Sequence, residues 1–150
     1  MLNIKVEDAT KILSLSRQLN NYKAPFRVLG EYKLIDNGVT PEATVHIEAD
    51  NQIIHEASNG NGPVDALANV LRKALAPLFP EITKVKLADY EAKILDARHG
   101  TNAEVEVTII FTDGEDLWKV YCMSGNINYA SFCVLIDGFE YAIQKERRSI

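Results

Sequence analysis

Ser58-Asn59-Gly60-Asn61-Gly62-Pro63-Val64-Asp65-Ala66 and Ser124-Gly125-Asn126-Ile127-Asn128-Tyr129-Ala130-Ser131 read as two versions of one element, a short glycine-containing loop that opens a helix. Each follows a third predicted strand. Residues from about Phe26 to Pro80 read as strand, strand, strand, helix, and residues from about Val85 to Tyr141 repeat that order. Such a loop leaves backbone N–H groups unpaired at the positive end of a helix, where an anion or carboxylate is well received. Two of them on one small domain point to ligand binding rather than to chemistry.

Working outward from the first loop, Pro63 falls where a first helical residue tolerates its missing N–H. Val64, Leu67, Leu71, Leu75 and Leu78 then recur at helical spacing, an apolar stripe for packing on a sheet. Upstream, Ala43, Val45 and Ile47 alternate with Thr44, His46 and Glu48, the pattern of a half-buried strand. Asp50-Asn51 turns this strand into Gln52–Ala57, a hairpin. A further strand is predicted over Phe26–Ile35, followed by the loop Asp36-Asn37-Gly38.

The second repeat has clearer strands. Val85 and Leu87 share one parity while Tyr90, Ala92 and Ile94 share the other, so a bulge or kink is expected near Ala88-Asp89. Ala103, Val105, Val107, Ile109 and Phe111 alternate, Thr112-Asp113-Gly114-Glu115 turns, and Trp118, Val120 and Cys122 continue on the returning strand. The closing helix carries Ile127, Ala130, Val134 and Tyr141 on or near one face. Gly138 inside it costs about 1 kcal/mol in propensity relative to alanine, which points to close backbone contact there.

Before the repeats, Val6, Ala9, Ile12, Leu13, Leu15 and Leu19 predict an N-terminal helix over about Val6–Leu19, stopped by the run to Pro25. The expected organisation is an N-terminal helix and linker over 1–25 and a duplicated domain over 26–150. The fold class is α+β: two βββα repeats with helices on one face of the sheets, plus an N-terminal helix. The opposite sheet faces would need a cover, and a second copy of the chain is the economical one.

A length of 150 residues suits one domain with a sizeable core. The formal net charge of −5 argues against a nucleic-acid partner, which needs clustered lysine and arginine. Lys145-Glu146-Arg147-Arg148 is the sole basic cluster and reads as a solvated helix end. No apolar run approaches the roughly 20 residues of a membrane span, and the N-terminus lacks a signal-peptide profile. Two cysteines, Cys122 and Cys133, are too few for a disulfide framework and read as small hydrophobes. The expected location is cytoplasmic.

Catalytic patterns are missing from the sequence. His46, His55 and His99 are scattered. His46 and His55 could meet across the hairpin as a metal pair, but no ligand set of recognisable spacing accompanies them, and ordinary strand-surface histidines are the expectation. Ser124 and Ser131 have no nucleophile-elbow context, and Cys122 has no obvious histidine partner. Gly60-Asn61-Gly62 lacks the third glycine of a dinucleotide fingerprint. Taken alone it is a tight strand-to-helix turn. No catalytic residue, metal or cofactor is expected.

Together, Gly60-Asn61-Gly62-Pro63-Val64-Asp65-Ala66, the strand Leu87-x-Asp89-Tyr90 and Asn126-Ile127-x-x-Ala130-Ser131 resemble the C-terminal regulatory domain of the 2-isopropylmalate synthase and citramalate synthase family. The resemblance covers most of Phe26–Tyr141. Asp113-Gly114 followed by Trp118 is more similar to the citramalate synthase branch. The resemblance implies two βββα units, pairing with a second copy, and an end-product amino acid as effector, leucine for one branch and isoleucine for the other. It also implies a catalytic synthase domain or subunit elsewhere, an acetyl-CoA-dependent acyltransferase.

Carried over by motif, Gly60, Asn61, Gly62 and Asp65 would lie at the effector loop. Leu87, Tyr90 and Ile94 would line the pocket with Thr101 and Val105, and Met123, Ser124 and Gly125 would form the second loop. The chemistry agrees: helix-opening N–H groups suit a carboxylate, Asp65 or carbonyls suit an ammonium, and Leu87 with Ile94 suit a branched side chain. Discriminating isoleucine from valine by one methylene yields only about 1–3 kcal/mol. Cys122 stands where the family usually has glycine, and Asn128-Tyr129 where it usually has an apolar residue and an acid. Those departures favour the alternative, a dimerisation or scaffold module that has lost effector binding. A small stand-alone enzyme would need a cluster of titratable groups that the sequence does not offer.

Overall fold

A computed structural model describes residues 5–95 and 104–148. In chain order its elements are β1 (Val6–Asp8), α1 (Ala9–Arg17), β2 (Arg27–Val28), β3 (Lys33–Ile35), β4 (Glu42–Ala49), β5 (Gln52–Asn59), α2 (Pro63–Leu75), β6 (Lys86–Ile94), β7 (Val105–Thr112), β8 (Leu117–Ser124) and α3 (Ile127–Arg148), with a 3-10 helix at Pro80–Lys84. The protein is mixed α+β, with three α-helices and two sheets among the described residues. It divides into a first unit, Lys23–Thr83 with Ile143–Ile150, and a second unit, Met1–Tyr22 with Lys84–Ala142.

In the first unit β4 is the central strand, antiparallel to β2, β3 and β5. Its alternation does what the pattern demands: Ala43, Val45, Ile47 and Ala49 are buried, and α2 packs on β4 and β5. Asp50 and Asn51 turn the hairpin with φ of 52° and 59°, left-handed values that short polar side chains tolerate. Leu67, Leu71 and Leu75 of α2 are fully buried, while Leu78 lies past the helix end. The strand expected over Phe26–Ile35 is broken into β2 and β3, with Gly30 at φ +68° between them. A residue in that conformation cannot continue a ladder.

In the second unit the sheet order is β1-β8-β7-β6. The register shift between Leu87 and Asp89 is the bulge that the parity change predicts. Cross-strand pairing sets four rows on the helix-facing side: Leu87–Phe111–Trp118, Tyr90–Ile109–Val120, Ala92–Val107–Cys122 and Ile94–Val105–Ser124. Phe111 and Trp118 are stacked, and Phe139 and Tyr141 of α3 pack on them. The close contact expected at Gly138 is present. A Cβ there would lie 2.1 Å from Phe111 Cζ, and the Gly138 carbonyl accepts 3.1 Å from Trp118 Nε1.

The N-terminal stretch departs from expectation. It starts as a strand rather than a helix, with Val6, Glu7 and Asp8 pairing parallel to Leu117, Trp118 and Lys119. Helix α1 begins only at Ala9, where Asp8 caps it by accepting from Lys11 N at 3.0 Å. Where β1 stops, Thr10 Oγ1 takes over its role and accepts from Tyr121 N at 2.9 Å. Arg17 then donates to Asp137 at 2.8 Å and meets Glu140 at 3.2 Å, and Tyr22 donates its hydroxyl proton to Glu140. Burial alone would weaken Arg17's hold on its proton, but the bonds and charges of Asp137 and Glu140 more than reverse this. No described helix is long and apolar enough to cross a membrane.

Candidate functional site

The second unit leaves one end of its sheet uncovered. Val107, Ile109 and Phe111 are fully buried under helix, but Ile94 of the last row is 65 % exposed and Val105 only half-buried. Tyr90 stands one row in from Ala92 on the edge strand, its hydroxyl 2.9 Å from Ser131 Oγ near the start of α3. Ser131 itself is fully buried. Ile94, Val105 and Ser124 thus form an apolar ledge with a polar margin where β8 leads into α3, and Tyr90 lies two rows further in. Such a ledge accepts a small molecule with a branched apolar end and a charged end.

The helix-opening turn beside it is partly self-satisfied. Asn126 N donates to Ser124 Oγ at 3.1 Å, and Asn126 Oδ1 accepts from Tyr129 N at 3.0 Å. Asn126 is therefore the cap of α3. Gly125 has open space around it. Met123 pairs with Glu106 on the opposite face of the sheet and is exposed, so it does not share the ledge. Leu87 lies at the far end, opposite Phe111. Thr101, expected near the pocket, and His99 lie outside the described residues.

The remaining expected residues belong to the first unit. Gly60 N donates to the Pro41 carbonyl at 3.1 Å, and a Cβ on Gly60 would lie 2.2 Å from Ala66 N, so only glycine fits. Gly62 caps α2 without a side-chain bond. Asp65, expected as an acceptor for an ammonium, here accepts from Asn61 N at 2.8 Å and closes the loop. Burial makes Arg72 a weaker base than usual, an effect the charge of Asp65 partly offsets.

Two features escaped the sequence reading. Ser131 as the partner of Tyr90 joins residues far apart in the chain, although both stand in motifs that carry the family resemblance. The Asn126 cap was legible in principle, since asparagine three residues before a helical N–H is a capping pattern. Cys122 and Cys133 are free thiols, both half-buried. Burial, with Cys133 alongside, pushes the Cys122 thiol up. Among the described residues no group of three or more His, Cys, Asp and Glu is placed to hold a metal ion.

Comparison with known proteins shows the family. Residues 4–143 match the LeuA allosteric (dimerisation) domain. The chain is 41 % identical over 120 residues to an (R)-citramalate synthase of Geobacter sulfurreducens, covering 80 % of this chain and 23 % of that protein. It is 38 % identical over 121 residues to one from Aquifex aeolicus, covering 81 % and 23 %. A third, from Sulfolobus acidocaldarius, is 35 % identical over 139 residues, 93 % of this chain and 26 % of that one. The chain thus spans about a quarter of the length of these relatives.

Proposed function

The chain belongs to the LeuA allosteric (dimerisation) domain family, and from that premise we propose that it is the amino-acid-binding regulatory domain of a citramalate or 2-isopropylmalate synthase-like enzyme. It is itself non-catalytic, and isoleucine or leucine acts through it as a feedback inhibitor. The observation that carries this reading is the half-open ledge of Ile94, Val105 and Ser124 where β8 leads into α3, with the Tyr90 hydroxyl bonded to Ser131 two rows further in.

In this reading the branched side chain rests on Ile94 and Val105, and the turn Ser124-Gly125 receives the carboxylate. Gly60, Asn61, Gly62 and Asp65 form the corresponding loop of the first unit. Residues 26–150 are read as two diverged βββα copies, with β1 of the preceding segment added to the second sheet. The protein works in the cytoplasm as a homodimer, and the synthase part it regulates is an acetyl-CoA-dependent acyltransferase. Effector binding shifts the paired domains between arrangements, a coupling typically worth about 1–3 kcal/mol.

Thermal unfolding with isoleucine, leucine and valine tests the proposal. An effector at about a hundred times its dissociation constant stabilises the fold by about 2.7 kcal/mol. Ile94→Asp should abolish the shift without changing melting of the free protein. No shift with any of the three at millimolar concentration would remove the effector. The second reading then stands: a dimerisation module whose turns satisfy themselves, as Asp65 with Asn61 and Asn126 with Tyr129 already do.

A further inference from the structure

On the outer face of the first unit's sheet, His46 of β4 and His55 of β5 stand directly opposite each other. Their ring centroids are 4.1 Å apart and their planes are inclined by only 16°. Helix α2 packs on the other face, against Val45, Ile47 and their neighbours, so both rings point away from the core. We propose that this cross-strand pair binds a divalent transition-metal ion of the borderline class, zinc, nickel or copper, with two imidazole ligands and water completing the shell.

The backbone holds the pair in place. Val45↔Glu56 and Ile47↔Ile54 flank it in unbroken register, and the His46 carbonyl accepts from Leu29 N at 2.8 Å on the other side of β4. Neither Cα can drift without breaking the ladder. A tetrahedral ion with metal–nitrogen bonds of about 2.0–2.1 Å needs its two nitrogens about 3.3–3.4 Å apart. The stacked rings must splay apart by side-chain rotation so that one nitrogen of each faces a shared ion, and there is room for this because His55 is exposed and His46 half-buried.

The surroundings suit a cation. Glu48 follows His46 on the same face and is bonded to Arg27 at 2.9 Å, which neutralises the nearby guanidinium charge. Thr44 and Ala57 form the next pair along the outer face, with Lys33 opposite Thr44. Imidazole selects zinc, copper and nickel over magnesium and calcium, which prefer oxygen donors. Bound there, the ion would clasp β4 to β5 and add positive charge beside the exposed Ile53.

The test uses the full chain with Cys122→Ser and Cys133→Ser, so that thiols do not compete. Titration calorimetry with nickel chloride or zinc chloride should show equimolar binding, with magnesium chloride silent. The imidazole resonances of His46 and His55 should shift together while that of His99 stays put. His46→Ala and His55→Ala should each abolish the heat. The nuclear resonance experiment on the histidine-intact chain keeps the proposal testable if a variant misfolds. No binding, binding that survives either variant, or a shift confined to His99 would overturn it.

Discussion

The two helix-opening turns look alike in sequence and are built differently. In the first, Gly60 is wedged against the opening of α2, where a methyl group would collide with backbone. In the second, Gly125 has nothing within 4 Å, and the tight glycine of that unit sits instead deep in α3, at Gly138 against Phe111. The first turn thus holds a wedged glycine beside an open one, Gly62, whereas the single glycine of the second is open. The open turn lies beside the uncovered ledge, and the closed one is sealed by Asp65. Similar letters at equivalent places do not imply equal duties.

This contrast can be broken by substitution. Gly138→Ala should cost most, about 3 kcal/mol in urea unfolding, because the Phe111 ring is hemmed in by Trp118 and Phe139 and has little room to yield. A loss below about 1 kcal/mol would show that α3 can simply move away. Gly60→Ala should cost about 2 kcal/mol, since the clash is with main chain. Gly125→Ala should stay within about 0.5 kcal/mol of the parent. Equal effects at Gly60 and Gly125 would dissolve the distinction between the two turns.

Smaller effects sharpen it. Glu140→Gln should cost about 1–2 kcal/mol, because a buried carboxylate loses its charge beside Arg17 and Tyr22, while the water around Arg17 softens the loss. Tyr90→Phe should cost about 1 kcal/mol through Ser131, and amino-acid titration of the same variant asks whether the ledge uses that hydroxyl. The smallest effect concerns pH. Folding opposes ionisation of Cys122, whose ordinary value is 9.0. The stability it contributes is full below the ordinary thiol range and fades as pH climbs through the raised value. Cys122→Ala should therefore flatten the alkaline fall in stability, and an unchanged fall would place its origin elsewhere.

Much of the fold was legible where local pattern and tertiary packing agree. The alternation of β4 and β7, the bulge before Asp89, the Asp50-Asn51 turn and Pro63 at the head of α2 each carry their cause in the sequence. The failures came where a distant partner decides. Val6 is in helical spacing with Ala9 and Leu13, yet an edge of β8 recruits Val6–Asp8 as strand. Gly30 gave no sign that it would take a left-handed conformation and break its strand. Of the residues expected at the site, strand register aligns Ile94, Val105 and Ser124 in one row and sets Tyr90 two rows away. The bond from Asn61 N to Asp65 could not be read in advance, because a carboxylate in a sequence says nothing about which amide it will cap.

Because β1 pairs with β8, the second sheet cannot be finished until every residue from Val6 to Lys119 has been made. During synthesis β1 would stay unmatched while the hairpin of β4 and β5, whose partners are adjacent in the chain, could already zip together. Val6 and its neighbours would wait for Leu117–Lys119, leaving an adhesive edge open during synthesis. Charged Glu7 and Asp8, flanking so short a strand, are the kind of residues that keep such an edge from finding the wrong neighbour first.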